Sequence, residues 1–146
     1  MNKVSADPQQ IQLILEQFIP YRLSILTNII SSSLSDTYKE KFQLSITEWR
    51  ILAVLGEYPG VSADEVSTKT QMEKSSLSRA IAKLILRKLI QREFSQIDQR
   101  RSILTLTESG LSIYNKVVPL AVEFERQLLK CFSGSEYEQF SKLLER

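Results

Sequence analysis

Apolar residues recur at helical spacing over most of the chain, and the spacing changes once, near residue 90. Leu23, Leu26, Ile30 and Leu34 fall at intervals of three and four, which predicts a long helix from Tyr21 to about Phe42. Pro20 lacks the N–H that a helix interior needs, so a break is expected near Ile19. Asp7 followed by Pro8 predicts an earlier helix start, with an acid to cap free amides and a proline where no donor is required. Three later starts share one device, a serine with a glutamate three residues on: Ser45/Glu48, Ser62/Glu65 and Ser133/Glu136. In such a capping box, hydroxyl and carboxylate satisfy each other's orphan amides. The boxes predict helices near 46–57, 63–69 and 134–145, with "EYPGVS" as the loop between the first two.

A further helix, near 73–88, aligns Leu77, Ile81, Leu84 and Lys88, with Ala80 beside them. Its opposite side carries Ser75, Ser78, Arg79 and Ala82. A buried helix would not present three small residues and an arginine there, and a merely solvated one would more often carry Glu/Lys pairs. Small side chains permit a close approach. A short helix, a tight turn and a second helix with such a face form a helix-turn-helix, whose second helix enters a major groove about 12 Å wide. The period then shifts. "LIQREF" and "SILTL" are short, β-branched and partly alternating, and the polar "SQIDQRR" separates them, which predicts an antiparallel hairpin. Thr107 caps a long helix from about Glu108 to Cys131. The expected fold is mostly α with a small β-hairpin, a winged helix. Its wing carries Arg92, Arg100 and Arg101, and its tip is positioned to reach a minor groove, where negative potential favours arginine.

Charge strengthens this picture. Between Lys74 and Arg101 lie eight basic side chains and two acidic ones, a net +6, inside a chain of 146 residues whose net charge is only +2. A basic block in an otherwise acidic chain fits a surface that meets phosphate, and it also fits a solvated charged face. The length fits a single domain. Histidine is absent and Cys131 is the lone cysteine, so one subunit can build neither a His/Cys zinc site nor a Ser-His-Asp or Cys-His pair. No Gly-rich phosphate loop is visible among four glycines. No catalytic residue, metal or cofactor is expected, and an enzyme is the weakest functional class. The absence of a disulfide framework, of a cleavable leader and of a long apolar run predicts a cytoplasmic protein without a membrane partner. Cys131 reads as a small packed hydrophobe.

These motifs, in this order, resemble the MarR family of bacterial transcription regulators. "LSITEWRILAVL" resembles the family's second helix, "KSSLSRAIAKLILRKLI" its recognition helix and "DQRRSILTLTESG" its wing, in which an Asp-x-Arg pair precedes the second strand and "LTxxG" opens the next helix. "IPYRLSILTNII" resembles the first helix of one branch, and the likeness runs from about Ile19 to the end. It implies a single domain over 1–146, with dimerisation helices at about 8–42 and 108–146 and a winged helix-turn-helix lobe at about 45–107. It implies a DNA-binding set of Lys74, Ser75, Ser76, Ser78, Arg79, Lys83, Asp98, Arg100 and Arg101, with Arg100 in a minor groove, Asp98 bracing it and Arg101 on the backbone beside it. Two departures stand out: Lys88 where glycine is common, and the apolar pair Ile85 and Leu86 where charge is usual. The reactive cysteine that the family's peroxide sensors carry near the first helix is missing. The family's small-molecule pocket, between the dimerisation helices and the lobe, implies Tyr21, Arg22, Trp49 and Arg50 as ligand-binding residues, although Trp49, on an apolar helix, fits the core better than a ligand contact. The resulting expectation is a homodimeric repressor of a pseudo-palindromic double-stranded DNA operator, released by a small anionic or aromatic effector. The alternative is a winged-helix protein-interaction module that does not bind DNA.

Overall fold

The computed structural model describes residues 11–98 and 100–146. The helix start expected at Asp7 lies outside the described residues, but the helix expected to run on from it to a break near Ile19 does not form over 11–18, where the chain is irregular except for a short 3-10 turn. A 3-10 turn at Leu15–Gln17 leads into α1 (Ile19–Asp36), followed by α2 (Lys39–Phe42), α3 (Ile46–Glu57), α4 (Ala63–Thr70) and α5 (Lys74–Leu86). Strands β1 (Ile90–Phe94) and β2 (Ser102–Leu106) come next, then α6 (Glu108–Leu128), a 3-10 turn at Leu129–Cys131 and α7 (Gly134–Leu144).

The local signals act where they stand. In all three capping boxes the serine hydroxyl accepts the N–H three residues on, and the glutamate accepts the serine's own N–H. The helix from Tyr21 to Phe42 is the exception. It starts two residues earlier, with Pro20 in the first turn where no N–H is needed, and it stops at Asp36. Thr37 and Tyr38 turn the chain, because their N–H groups donate to Leu34 and Ser35 and the Thr37 hydroxyl donates to the Leu34 carbonyl at 2.7 Å. The turn drives the Tyr38 ring into the core, where it is 1% exposed and tilted against Trp49 at 5.7 Å. Burial pushes the Tyr38 hydroxyl up to about 12, although nearby Arg50 pulls the other way.

The core sits in the winged-helix lobe. Ile51, Leu52 and Leu55 of α3, Val66 of α4, and Leu77, Ile81 and Leu84 of α5 meet Ile90 and Leu104 of the hairpin and Val117 of α6. The strands pair antiparallel, with Ile90 opposite Leu106, Arg92 opposite Leu104 and Phe94 opposite Ser102. Val61 extends the sheet by one bridge, its carbonyl accepting from Leu104 N–H at 2.8 Å.

The end of α5 and the start of α6 are locked together. The Lys88 N–H donates to Ile85 and the Leu89 N–H to Leu84, the two bonds of a Schellman motif, with Lys88 left-handed at φ 57°. Glycine would be free there; Lys88 stands in its place. Leu86, before the turn, is 82% exposed, whereas Ile85 packs on the core. The Thr107 hydroxyl donates to the Lys88 carbonyl at 2.7 Å and accepts the Gly110 N–H at 3.1 Å. Beyond Val118 and Ala121, α6 leaves the lobe, and the Phe132 ring meets Phe140 of α7 at 5.3 Å. Contrary to the sequence reading, Cys131 is exposed, because this elbow carries it away from the core.

Candidate nucleic-acid interface

Helix α5 turns its apolar stripe inward: Leu77, Ala80, Ile81 and Leu84 are buried, while Ser75, Ser78, Arg79 and Ala82 are exposed. The exposed face is therefore the small-residue face that the sequence singles out. Lys74 opens the helix with its ammonium 3.4 Å from Asp64 of α4. The preceding residue, Glu73, occupies the N-cap position without capping the helix amides. Its carboxylate instead accepts the hydroxyls of Ser75 and Ser76, and Arg79 reaches Ser76 Oγ at 3.4 Å. Glu73 was not singled out by sequence reasoning, because an acid before a helix reads as an ordinary cap.

Lys83 and Arg87 of the basic block also have partners within the chain, although Lys83 remains exposed. Lys83 Nζ lies 3.1 Å from Oε1 of Glu48, a carboxylate that is 1% exposed. Burial pushes the Glu48 carboxyl up, but the bond from the Ser45 N–H and the Lys83 ammonium outweigh it and hold the group below its usual range. Arg87 donates to the Gln43 and Phe42 carbonyls, both at 2.9 Å. Lys83, expected to contact DNA, is thus drawn toward Glu48 in the free protein. Arg87 is engaged with the chain itself.

On the wing, Ser95 N–H donates to the Arg101 carbonyl at 2.8 Å and Arg101 N–H to the Asp98 carbonyl at 2.9 Å, closing the turn. The sequence reading aims Asp98 at the Arg100 guanidinium. In the structure the Asp98 carboxylate accepts the Arg100 backbone N–H at 3.0 Å, and no ion pair joins the two side chains among the described residues. Arg100 and Arg101 are exposed. Arg101 lies near enough to Glu65 to add, after the Ser62 hydrogen bonds, to holding that carboxyl below its usual range. Arg92 is the residue that joins wing to helix. Paired with buried Leu104, it sits on the inward face of β1 and lines a cavity of about 190 Å³ with Lys74, Ser78, Asp64 and Ser67. Strand alternation puts Arg92 on this face in the sequence; only the packing of β1 beside α4 and α5 opens a cleft there.

The four implied ligand residues form two groups. Tyr21 and Arg22 line an open groove of about 490 Å³ along α1, with Ile19, Leu26 and Ile29. Arg50 donates to Ser31 Oγ at 3.0 Å, nine residues and thus roughly 13 Å of helical rise beyond Arg22. Trp49 belongs to the core: it is 8% exposed, tilted against Tyr38 and stacked on Tyr114 at 6.1 Å. Its ring has no free face for a ligand in one protomer. No helix among the described residues is long and apolar enough to cross a membrane.

Comparison with known proteins agrees with this geometry. Residues 42–101 match a family model described as the MarR family. A MarR/EmrR family transcriptional regulator from Acinetobacter sp. ADP1 has a solved structure that superposes with a TM-score of 0.84 at 30% identity, over 91% of this chain and 94% of that one. The homoprotocatechuate degradative operon repressor of Escherichia coli is 26% identical over 106 residues, 73% of this chain and 72% of that protein. The S. aureus MepR–DNA complex shares the fold with a TM-score of 0.78 at 22% identity, over 88% of this chain and 94% of that one. A helix-turn-helix with a small-residue recognition face, a hairpin wing tipped by arginines, and a relative that is 30% identical over nearly the whole chain together establish that this protein belongs to the MarR family of transcriptional regulators.

Proposed function

We propose that the protein is a homodimeric repressor that binds a pseudo-palindromic DNA operator through α5 and the wing. The observation that carries this reading is the cleft in which Arg92 of the wing meets Lys74 and Ser78 of α5. It joins the small, polar face of the recognition helix to the arginine-bearing hairpin, so that one cationic surface can meet adjacent grooves of a duplex. Lys74, Ser75, Ser76, Ser78 and Arg79 are the candidate major-groove contacts, and Arg100 with Arg101 the candidate wing contacts.

Dimerisation follows from what one protomer leaves uncovered. Leu23, Leu26 and Ile29 of α1, Val122 and Leu128 of α6, and Leu143 and Leu144 of α7 are all more than 40% exposed. Pairing about a two-fold axis would bury them and present two recognition helices about one helical turn of DNA apart. The single-domain division, with dimerisation helices flanking a lobe at about 45–107, is part of the same reading.

A small anionic or aromatic effector is the second element. The face of α1 that holds Tyr21 and Arg22 offers an aromatic ring and one cation, and because dimerisation would bury its apolar residues Leu23, Leu26 and Ile29, an effector would bind at the margin of the dimer contact. The E. coli relative, by its name, represses an operon for degrading an aromatic acid. Such an effector releases DNA only if it prefers a dimer whose helices are wrongly spaced, so effector and operator must weaken each other reciprocally.

The test is titration against a duplex selected by the protein from random DNA, and against a scrambled duplex, at several salt concentrations. Counterion release predicts a steep salt slope on both and tighter binding to the selected sequence. A protein-interaction module would show neither.

A further inference from the structure

Of the three capping-box glutamates, Glu65 and Glu136 are exposed and only Glu48 is buried. Capping a helix does not require burial, and burial of a carboxylate is costly unless it is paired and hydrogen-bonded. Glu48 has two cations beside it and one backbone hydrogen bond, although among the described residues no donor meets its Oε1 with hydrogen-bond geometry. Its Oε2 accepts the Ser45 N–H at 2.7 Å, its Oε1 faces Lys83 Nζ at 3.1 Å, and Arg87 Nη1 stands 4.0 Å from Oε2.

Lys83 lies in the last turn of the recognition helix and Arg87 is its C-cap residue, one turn on. Arg87 reaches past Glu48 to the last carbonyls of the α2 corner, Phe42 and Gln43. Gln43 is itself left-handed, at φ 51°, so the corner presents two adjacent carbonyl groups to a single guanidinium. The apolar contacts of Leu77, Ile81 and Leu84 hold α5 on the core and the turn at Lys88 ties its end to α6, but hydrophobic burial is non-directional and the bonds of that turn do not reach across to the 42–48 corner. Charge-assisted hydrogen bonds to a fixed fork of donors are directional.

We propose that Glu48, Lys83 and Arg87 form a latch that sets the angle of the recognition helix relative to α1, acting on the 42–48 corner. These are positioning residues: they orient the reading face without themselves needing to touch DNA. The inference rests on the DNA-binding reading for its functional meaning, since the angle between α5 and α1 would fix the half-site spacing that a dimer accepts.

The angle can be measured without DNA. Spin labels on Ser32→Cys in α1 and Ala82→Cys in α5, both exposed and with Ser32 off the apolar stripe of α1, in a Cys131→Ser background, report the distance between the two helices. Labelled chains are diluted with unlabelled ones so that only pairs within one protomer contribute. The reference protein should give one narrow distribution. Arg87→Met, which keeps the apolar stem, and Glu48→Gln, which keeps the cap acceptor, should each at least double its width while helical circular dichroism is retained. An unchanged width in whichever variants fold overturns the latch. A second readout uses duplexes with one base pair added or removed between half-sites: the reference protein should lose about tenfold in affinity or more, and Arg87→Met less than threefold. Equal penalties in both also overturn it. A reference protein that binds no duplex would sink the DNA-binding reading and leave the spin-label result to judge the latch alone.

Discussion

The Asp98 carboxylate accepts the backbone N–H of Arg100 at 3.0 Å, so the acid of the wing shapes the turn that presents the arginine rather than gripping its guanidinium. This separates acceptor from charge. Asp98→Asn keeps an oxygen acceptor and should bind DNA nearly as the wild type does, whereas Asp98→Ala should fall between the wild type and Arg100→Ala. Arg100→Ala should weaken selected and scrambled duplexes alike and flatten the salt slope by about one unit per half-site. Titrations at several salt concentrations check this. An Asp98→Asn protein as impaired as Arg100→Ala would mean that the negative charge, not the turn, is what the wing needs.

Arg79 and Glu73 should act on selectivity instead. A bidentate arginine–guanine contact is worth about 1–3 kcal/mol of discrimination, so Arg79→Ala should mainly erode preference among operator variants. Glu73 holds an anionic carboxylate at the start of α5, beside the serines that would face the duplex. Removing that charge in Glu73→Gln should raise affinity for scrambled DNA several-fold and lower the ratio of selected to scrambled binding. Competition assays measure that ratio directly; a Glu73→Gln protein that binds scrambled DNA more weakly would contradict the assignment.

Gly110 has no room for a side chain. A Cβ built there would lie 1.9 Å from the Leu89 carbonyl oxygen, a backbone atom held by Thr107 N–H at 3.1 Å. Overpacking against backbone costs up to about 3 kcal/mol, and the better helix propensity of alanine returns about 1. Gly110→Ala should therefore lose about 2 kcal/mol, which corresponds to roughly 4–8 °C in Tm for a chain of this size. Thermal melts followed by circular dichroism test it, and an unchanged Tm would show that the turn at Leu89 can relax.

Lys88→Gly should move Tm the other way. A non-glycine residue in the left-handed region costs about 1–2 kcal/mol, and glycine adds about 0.5–1 kcal/mol of unfolded-state entropy, so the expected gain is about 0.5–1 kcal/mol. The same melting experiment should show a rise of roughly 1–4 °C. A fall would mean that the Lys88 side chain contributes contacts that offset its backbone strain.

Uncovered apolar residues on α1 and α7 carry the dimer. Leu26→Glu and Leu144→Glu place charges on positions that are 48% and 68% exposed in one protomer, so neither should unfold the lobe. Sedimentation velocity at micromolar concentration should show a dimer for the wild type and a shift toward monomer for the double variant. A monomeric wild type would overturn the two-fold arrangement and the operator symmetry that depends on it.

Much of this fold is local. The capping boxes at Ser45, Ser62 and Ser133, the apolar stripe of α5 and the hairpin between residues 90 and 106 depend on neighbours within a few positions, and a sequence displays them directly. The helix-turn-helix and the wing follow from their order. The end of α1 was less legible, because the turn at Thr37 and Tyr38 answers to the burial of the Tyr38 ring against Trp49, which no local pattern records.

What the sequence by itself determined is the set of elements and the residue types each face can offer: a small-residue face with Arg79, a wing with Arg92, Arg100 and Arg101, and a block of positive charge. The tertiary structure decided which cations remain available. It draws Lys83 to Glu48, commits Arg87 to carbonyls 44 and 45 residues away, and brings Arg92 into the cleft beside Lys74 and Ser78. It also removes Trp49 from the candidate pocket by packing it between Tyr38 and Tyr114. The physical reason is range. Hydrogen bonds of helix caps and turns close between residues close in sequence, whereas the partner of a buried charge or ring is chosen by whichever distant segment packs beside it.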